Sequence, residues 1–202
     1  MPDPIFQSFN RTTFLRVATY FEGSLVIAAY AIGWLADIDP LANLRLQPQA
    51  LLWGLAGTVP LYLYFLVSYH LPYGELRTIK RFLIDKMGPL LEKCHWSELL
   101  YLGVLAGITE ETLFRGLLQP LFETHWGWAA GIILSNLLFA SAHSITPLYA
   151  LLAGLTGVYL GLALDIGGSR NLLTPITIHA AYDFLAFLAV VRTYRSEHGM
   201  AF

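Results

Sequence analysis

The sequence predicts an all-α membrane protein, a polytopic helix bundle with about six transmembrane helices and one amphipathic interfacial helix. Of the 202 residues, 56% are hydrophobic and only 13% are charged. The hydrophobic residues form several runs of roughly 20, the length that spans a bilayer. The net charge of -2 gives no indication of nucleic-acid binding. There is no internal repeat, so we expect one membrane domain over residues 1–202.

The first half, residues 14–95, contains two spans and a basic linker. The first span covers about residues 14–35 and carries Glu22, and an Asp-rich turn with Pro40 closes it. The second covers about residues 50–71, with an expected kink at Pro60 and an aromatic end. The start of the chain, Met1 to Pro4, lacks the basic region and apolar core of a cleaved signal peptide.

Residues 75–95 have a different composition, with basic residues between apolar residues at helical spacing. The apolar positions are Leu76, Ile79, Phe82 and Leu83. This pattern predicts an amphipathic helix on the membrane surface, broken at Gly88-Pro89. We favour a solvated basic segment that orients the protein. A substrate gate or a lipid sensor is the functional alternative.

The second half, residues 97–191, is predicted to contain four further spans that carry the polar motifs. Ser97 and Glu98 are expected to cap the third span, and Pro120 to kink or end it. Gly103 and Gly107, four residues apart, predict close helix packing, as does the series Ala153, Gly157 and Gly161. The predicted spans are residues 97–123, 128–143, 148–164 and 172–191.

The basic residues predict the orientation of these six spans. With both termini in the cytoplasm, only Arg45 and Arg170 lie outside, and Arg115 is buried. This arrangement satisfies the positive-inside rule. The cytoplasmic basic residues would be Arg11, Arg16, Arg77, Lys80, Arg81, Lys86, Lys93, Arg192 and Arg195.

Seven ionisable residues fall inside predicted spans, where charged groups are costly and mark function by default. Two pairs have the four-residue spacing that places both side chains on one helix face: Glu111 with Arg115, and His179 with Asp183. Glu110 points about 100° away from Glu111. The seven residues are Glu22, Glu110, Glu111, Arg115, His143, His179 and Asp183.

These residue types supply the parts needed to activate water. A glutamate can act as a general base, and a glutamate with a histidine can hold a metal or polarise water without one. A second histidine with an aspartate can stabilise an oxyanion. A structural ion pair between helices is the alternative for Glu111 and Arg115. A structural contact or a proton relay is the alternative for His179 and Asp183.

Three motifs in order resemble the signature of the CAAX protease and bacteriocin-processing family, intramembrane proteases related to the type II CAAX prenyl endopeptidase. They are Glu110-Glu111-x-x-x-Arg115, Phe139-x-x-x-His143 and His179-x-x-x-Asp183. The resemblance covers about residues 101–189. It implies that residues 97–191 form the protease core, whereas residues 14–95 match no motif of the family.

The resemblance also implies roles for these residues. Glu110 and His143 would activate the water that attacks the scissile amide, while Glu111 and Arg115 would support and orient them. His179 and the residue at position 183 would stabilise the tetrahedral oxyanion. Many members have Asn at this last position. An ionised Asp183 cannot donate a hydrogen bond. Either Asp183 is protonated in its apolar site, or it orients His179 and leaves donation to the histidine ring, which is the alternative we favour.

The chemical type of the site stays open at this point, because the family has been described both as metalloproteases and as glutamic-type proteases. A zinc ion, if present, would be held by Glu110, His143 and His179. Phe139 and Asn136 are candidates for substrate binding. The expected partners are a membrane-associated protein or peptide substrate and the lipid bilayer, with no nucleic acid, and the expected location is a bacterial inner membrane.

Two other functions fit the same residues. The chain could be a catalytically silent member of the family that acts as a membrane scaffold or chaperone. A proton-coupled transporter would use the ionisable groups as a relay, but it would normally need more spans or two related halves.

Overall fold

The computed structural model describes residues 10–71 and 73–200, and the regular structure in that part of the chain is helical. The prediction about a signal peptide at residues 1–4 lies outside the described residues. Two π-helical segments interrupt the α-helices, Leu83–Met87 between α3 and α4 and Thr112–Leu118 between α5 and α6. The α-helices are α1 (Arg11–Ala36), α2 (Pro48–His70), α3 (Gly74–Phe82), α4 (Gly88–Leu91), α5 (Trp96–Glu111), α6 (Gln119–Trp126), α7 (Trp128–Ala142), α8 (Pro147–Ala163) and α9 (Leu173–Glu197).

The outer surface of the bundle is apolar, as expected for a protein in lipid. Three described helices, α1, α2 and α9, are long and apolar enough to cross a membrane, and α7 and α8 are shorter apolar helices. Large apolar side chains point outward, including Trp34 at 83% exposure. A continuous surface of this kind is not found on soluble monomers. The predicted class, a helical membrane bundle, is confirmed, while the number of six spans stays a prediction.

Both π segments lie two residues before a proline. Pro89 follows Met87, and Pro120 follows Leu118. A proline inside a helix lacks an N–H and its ring collides with the carbonyl four residues earlier. The wider π turn shifts that carbonyl, so the chain stays helical through both prolines. The predicted break at Gly88-Pro89 is therefore wrong, and Pro120 does not end the third predicted span.

The capping of α5 also differs from the prediction. The N-cap residue is His95, whose Nδ1 atom accepts from the Ser97 backbone N–H, while the Glu98 side chain accepts from the His95 N–H. This is a capping box in which the histidine takes the place of Ser or Thr. Glu98 takes part as predicted, but Ser97 lies inside the helix.

Helix α9 lies at the centre of the bundle and packs against both α2 and α5. A Cβ atom at Gly103 would lie 2.7 Å from the Ala180 carbonyl oxygen, and one at Gly107 would lie 2.9 Å from the Ile176 carbonyl oxygen. The close packing predicted for these two glycines is confirmed. Phe65, Leu99 and Val190 belong to one buried cluster, so both halves of the chain share a core.

Candidate active site

Glu111, Arg115 and His179 form a fully buried group between α5, the second π segment and α9. The Glu111 Oε1 atom accepts from Arg115 Nη1 at 3.0 Å and from His179 Nδ1 at 2.8 Å. The Glu111 and Arg115 side chains have no exposed surface. A carboxylate held by a guanidinium is an acceptor, so we assign the Nδ1 proton to His179. The predicted pair of Glu111 and Arg115 is formed, and it also orients a histidine on another helix.

Arg115 is held on its other side by two further helices. Its Nη2 atom donates to Asn136 Oδ1 on α7 at 2.9 Å and to the Gly157 carbonyl on α8 at 2.7 Å. The guanidinium carbon lies 4.7 Å from the centre of the Phe139 ring, a cation–π distance. Arg115 therefore joins α7 and α8 to the Glu111 carboxylate.

Small residues make room for this buried guanidinium. A Cβ atom at Gly157 would collide with the Asn136 side chain and would lie 3.1 Å from Arg115 Nη2. At Gly161, the same atom would lie 2.9 Å from Gln119 Oε1. The predicted small-residue series on α8 thus packs against polar side chains rather than against a plain apolar helix face.

Glu110 and His143 face each other without a direct hydrogen bond. The Glu110 Oε2 atom lies 3.7 Å from His143 Nε2 and has no hydrogen-bond partner in the described structure. His143 Nδ1 lies 2.9 Å from the Phe139 carbonyl oxygen, which can only accept, so that nitrogen carries the proton. The Nε2 atom of a neutral ring is then a second acceptor. The two acceptors are too far apart for a direct hydrogen bond and, lacking a proton between them, could only be linked through a third group such as water.

His179 and Asp183 lie on one face of α9, as their spacing predicts. The His179 Nε2 atom is 3.7 Å from Asp183 Oδ2, which is beyond hydrogen-bonding distance. The Asp183 side chain is 20% exposed, whereas Glu111 on the other side of the ring is fully buried. The ring is therefore oriented by Glu111, while Asp183 is the more open of its two acidic neighbours.

A cavity of about 270 Å³ collects four of the predicted site residues: Glu110, His143, His179 and Asp183. Glu111 and Arg115 do not line it and lie behind it. The remaining walls are mostly aromatic and aliphatic, and they come from α2, α8, α9 and the amphipathic segment that starts at α3. This arrangement separates the residues that can touch a ligand from those that hold them in place.

The structure places the two candidate substrate-binding residues differently. Phe139 lines the cavity, and its ring stacks on His143 with the ring centres 4.4 Å apart. Asn136 is buried behind Arg115: its Oδ1 atom accepts from Arg115, and its Nδ2 atom donates to the Ile132 carbonyl. Asn136 does not line the cavity.

Glu22 on α1 lies beside the site rather than in it. Its Oε2 atom accepts a hydrogen bond from the Thr109 hydroxyl, on the residue just before Glu110. Glu22 does not line the cavity. Its carboxylate can therefore affect the position and the electrostatics of Glu110 without touching a ligand.

Comparisons with known proteins match the part of the chain that carries these residues. Residues 93–185 match the family described as type II CAAX prenyl endopeptidase Rce1-like. The match covers a little under half of the chain. The resemblance drawn from the three motifs is confirmed, and the family is one of endopeptidases.

A similar protein from Escherichia coli is named "Uncharacterized 24.3 kDa protein". It is 35% identical over 95 residues, which are 45% of this chain and 42% of that protein. The match thus spans less than half of the relative's length. No solved structure matches the chain.

The Rce1-like segment does not present a ready set of metal ligands. Within residues 10–71 and 73–200, no group of three or more His, Cys, Asp or Glu side chains is arranged to hold a metal ion. Of the three predicted ligands, Glu110 and His143 face each other. His179 binds Glu111 through Nδ1 and keeps its Nε2 atom free, as a metal-bound histidine commonly does. The three side chains are not arranged around one metal position, and the mechanism proposed below uses no step through a metal.

Several residues around the site were not singled out from the sequence. Gln119 lies between Arg115 and Glu123 in a series of polar residues spaced by four positions that starts at Glu111. This spacing could have identified Gln119 from the sequence. Its amide donates to Glu123 Oε1 at 3.0 Å, and Glu123 in turn binds Arg170. Tyr149 lines the cavity, but nothing in the sequence distinguishes it from other membrane tyrosines.

Proposed function

We propose that this protein is an intramembrane endopeptidase that hydrolyses a peptide bond with a water activated by Glu110 and His143. The observation that supports this most directly is the pair of facing acceptors, Glu110 Oε2 and His143 Nε2, at the wall of the cavity. In this proposal one water donates a proton to each of these two acceptors, which are 3.7 Å apart. The match to the Rce1-like family supports the same reaction class.

In the first step, the water oxygen attacks the carbonyl carbon of the scissile amide, and Glu110 takes one water proton as general base. The π electrons of the carbonyl move to its oxygen, which becomes an oxyanion. In the second step, the C–N bond breaks and its electron pair goes to nitrogen. The nitrogen receives the proton from Glu110, and the products are a free amine and a carboxylic acid that ionises.

Glu111 and Arg115 act as positioning residues in this proposal. They do not reach the cavity, but Glu111 orients the His179 ring and Arg115 holds Glu111. Arg115 also packs over Phe139, whose ring stacks on His143. One buried guanidinium is therefore in contact with the supports of both catalytic histidines.

The substrate in this proposal is a membrane-associated protein or peptide whose apolar segment enters the cavity. Aromatic and aliphatic side chains dominate the walls, with Phe65, Leu83 and Phe187 among them. The basic amphipathic segment forms part of the same cavity through Lys80. By the positive-inside rule this end faces the cytoplasm, so we place the opening and both termini there, in a bacterial inner membrane.

The test is cleavage of a library of membrane-tethered peptides, including prenylated C-terminal CAAX peptides, by the purified full chain. Glu110→Gln keeps the shape of the side chain but removes the base, and we expect it to abolish cleavage. Glu92→Gln is the matched control, because Glu92 pairs with Arg195 outside the cavity. A peptide cleaved equally by wild type and Glu110→Gln would contradict the proposed mechanism. Function retained in cells by Glu110→Gln and by His143→Ala would favour the scaffold.

A further inference from the structure

The proposed reaction needs a hydrogen-bond donor for the oxyanion, and the two residues predicted for this role donate to it only in their protonated forms. An ionised Asp183 only accepts hydrogen bonds. His179 uses its Nδ1 proton on Glu111, so the Nε2 atom of a neutral ring is also an acceptor. Developing negative charge beside a carboxylate is repelled unless a donor holds it.

Tyr149 brings a donor into the same cavity. Its side chain lines the cavity together with Glu110, His143, His179 and Asp183. It is within electrostatic range of the carboxylates of both Asp183 and Glu110. A tyrosine hydroxyl is protonated at neutral pH and donates one hydrogen bond.

The Tyr149 hydroxyl is also uncommitted. Among the described residues, Tyr149 makes a hydrogen bond only through its backbone N–H, to Thr146 Oγ1 at 3.1 Å. The first turn of α8 is held in place, since the neighbouring Leu148 N–H donates to Glu75 Oε2 at 3.1 Å. A rigid backbone with an unpaired hydroxyl facing the cavity is the arrangement expected of a preorganised donor.

Other tyrosines in the cavity fit this role less well. Tyr182 is within electrostatic range of Asp183 but not of Glu110. The hydroxyl oxygens of Tyr64 and Tyr69 have almost no accessible surface. Tyr149 is the cavity tyrosine within electrostatic range of both carboxylates.

We propose that Tyr149 is a further catalytic residue, whose hydroxyl donates a hydrogen bond to the oxyanion. It would replace the side-chain amide of the Asn that many family members have at position 183. This inference rests on the proposed peptidase function. The hydroxyl keeps its proton throughout: the carbonyl π electrons move to oxygen as water attacks, the Tyr149 O–H binds that oxygen, and the water proton goes to Glu110. When the C–N bond breaks, the oxygen electrons re-form the carbonyl and the hydrogen bond weakens.

The experiment compares Tyr149→Phe with wild type on the library peptide that wild type cleaves fastest. We expect kcat to fall by about 10²-fold, the usual effect of losing one oxyanion donor, with KM little changed. Tyr159→Phe is the matched control: it removes a hydroxyl from the same helix that binds the Gly57 carbonyl at 2.8 Å outside the cavity. Its kcat should stay at the wild-type value.

A second comparison, made in the Asp183→Asn variant, tests specifically for hydrogen-bond donation by Tyr149. Asp183→Asn introduces an amide N–H at the oxyanion side, so Tyr149→Phe should lose less than about tenfold in kcat there, because the two donors share one acceptor. Binding of the same peptide with a phosphinate in place of the scissile amide gives a readout that needs no turnover. Tyr149→Phe should weaken binding of the phosphinate. Added to Glu110→Gln, which does not cleave the peptide, Tyr149→Phe should leave binding of the intact peptide unchanged.

The outcomes separate this inference from the proposed function. A wild-type kcat for Tyr149→Phe, with cleavage abolished in Glu110→Gln, would overturn the role of Tyr149 and leave the peptidase intact. Equal losses from Tyr149→Phe in the wild-type chain and in the Asp183→Asn variant would also overturn it. Cleavage that survives Glu110→Gln would remove the proposed mechanism itself, and the role of Tyr149 with it.

Discussion

The Glu111 carboxylate accepts a hydrogen bond from the His179 ring at 2.8 Å. The two residues are 68 positions apart in the chain, and the bond links their helices, α5 and α9. The adjacent Glu110 points in a different direction and lines the cavity, and its buried Oε2 atom has no partner in the described structure. Two neighbouring glutamates thus occupy different environments. Glu111 binds Arg115 and His179 and positions them, whereas Glu110 is available for catalysis.

This difference predicts that Glu111→Gln lowers the stability of the protein, whereas Glu110→Gln does not. Glu111→Gln leaves the Arg115 guanidinium buried without a counter-charge, which costs about 3–5 kcal/mol of stability. Glu110→Gln breaks no hydrogen bond that the structure shows and should unfold near the wild-type temperature. Thermal unfolding in detergent measures the first effect, and peptide cleavage should be lost in both. Equal stability of the two variants would contradict the assignment of Glu111 as the structural partner.

The space around Arg115 predicts a strong effect of a single methyl group at Gly157. In Gly157→Ala, the new Cβ atom would collide with Asn136 and displace the Arg115 contact to the Gly157 carbonyl. We expect a loss of about 1–3 kcal/mol from this overpacking and reduced cleavage. Gly23→Ala is the control, since a Cβ there meets nothing within 4 Å. It should be neutral or slightly stabilising in thermal unfolding.

The donor arrangement predicts that cleavage persists in the presence of a strong chelator. Glu110 and His143 lie together, but within the described residues no third His, Cys, Asp or Glu side chain joins them in an arrangement that would hold a metal ion. Zinc sites in catalytic centres usually have three protein ligands. Cleavage by wild type is measured with and without chelator, and after zinc is added back. Activity that chelator removes and zinc restores would show that Glu110, His143 and His179 rearrange to hold the metal.

Cys94 predicts a pH dependence that can be followed without a substrate. Burial raises the pKa of its thiol to about 11, and its Sγ atom donates to the Leu90 carbonyl. An unfolded chain has a thiol pKa of about 8.5, so at pH 8 the folded protein should be alkylated about 10²-fold more slowly. The rate in the folded protein should rise about tenfold per pH unit between roughly pH 8 and 10.

The same shift has a consequence for stability. A raised pKa in the folded state means that the contribution of the thiol is fully present below about pH 8.5 and is lost as the pH rises towards 11. Unfolding in Cys94→Ala should lack this part of the pH dependence. Because the chain has a single cysteine, the labelling signal has one source. A folded-state labelling rate that levels off near pH 8.5 would show that Cys94 is solvated.

The fold class and the resemblance to the Rce1-like family were accessible from the sequence, because both depend on local patterns. Runs of apolar residues set the helices, and the four-residue spacing of Glu111 with Arg115 and of His179 with Asp183 is a property of one helix. Proline chemistry misled the prediction at Pro89 and Pro120. The π segments that accommodate these prolines depend on packing against neighbouring helices, which no local pattern records.

The chemical role of each polar residue depended on the tertiary structure. The sequence presents Glu110 and Glu111 as equivalent neighbours, and only the position of His179 on α9 decides which of them is engaged. Asn136 is similar: its type permits substrate binding, but Arg115 on another helix binds its amide oxygen. The sequence by itself indicated which ionisable groups lie in apolar helices. Tertiary packing decided which of them are paired and which remain available, because a hydrogen bond between distant residues exists only once their helices meet.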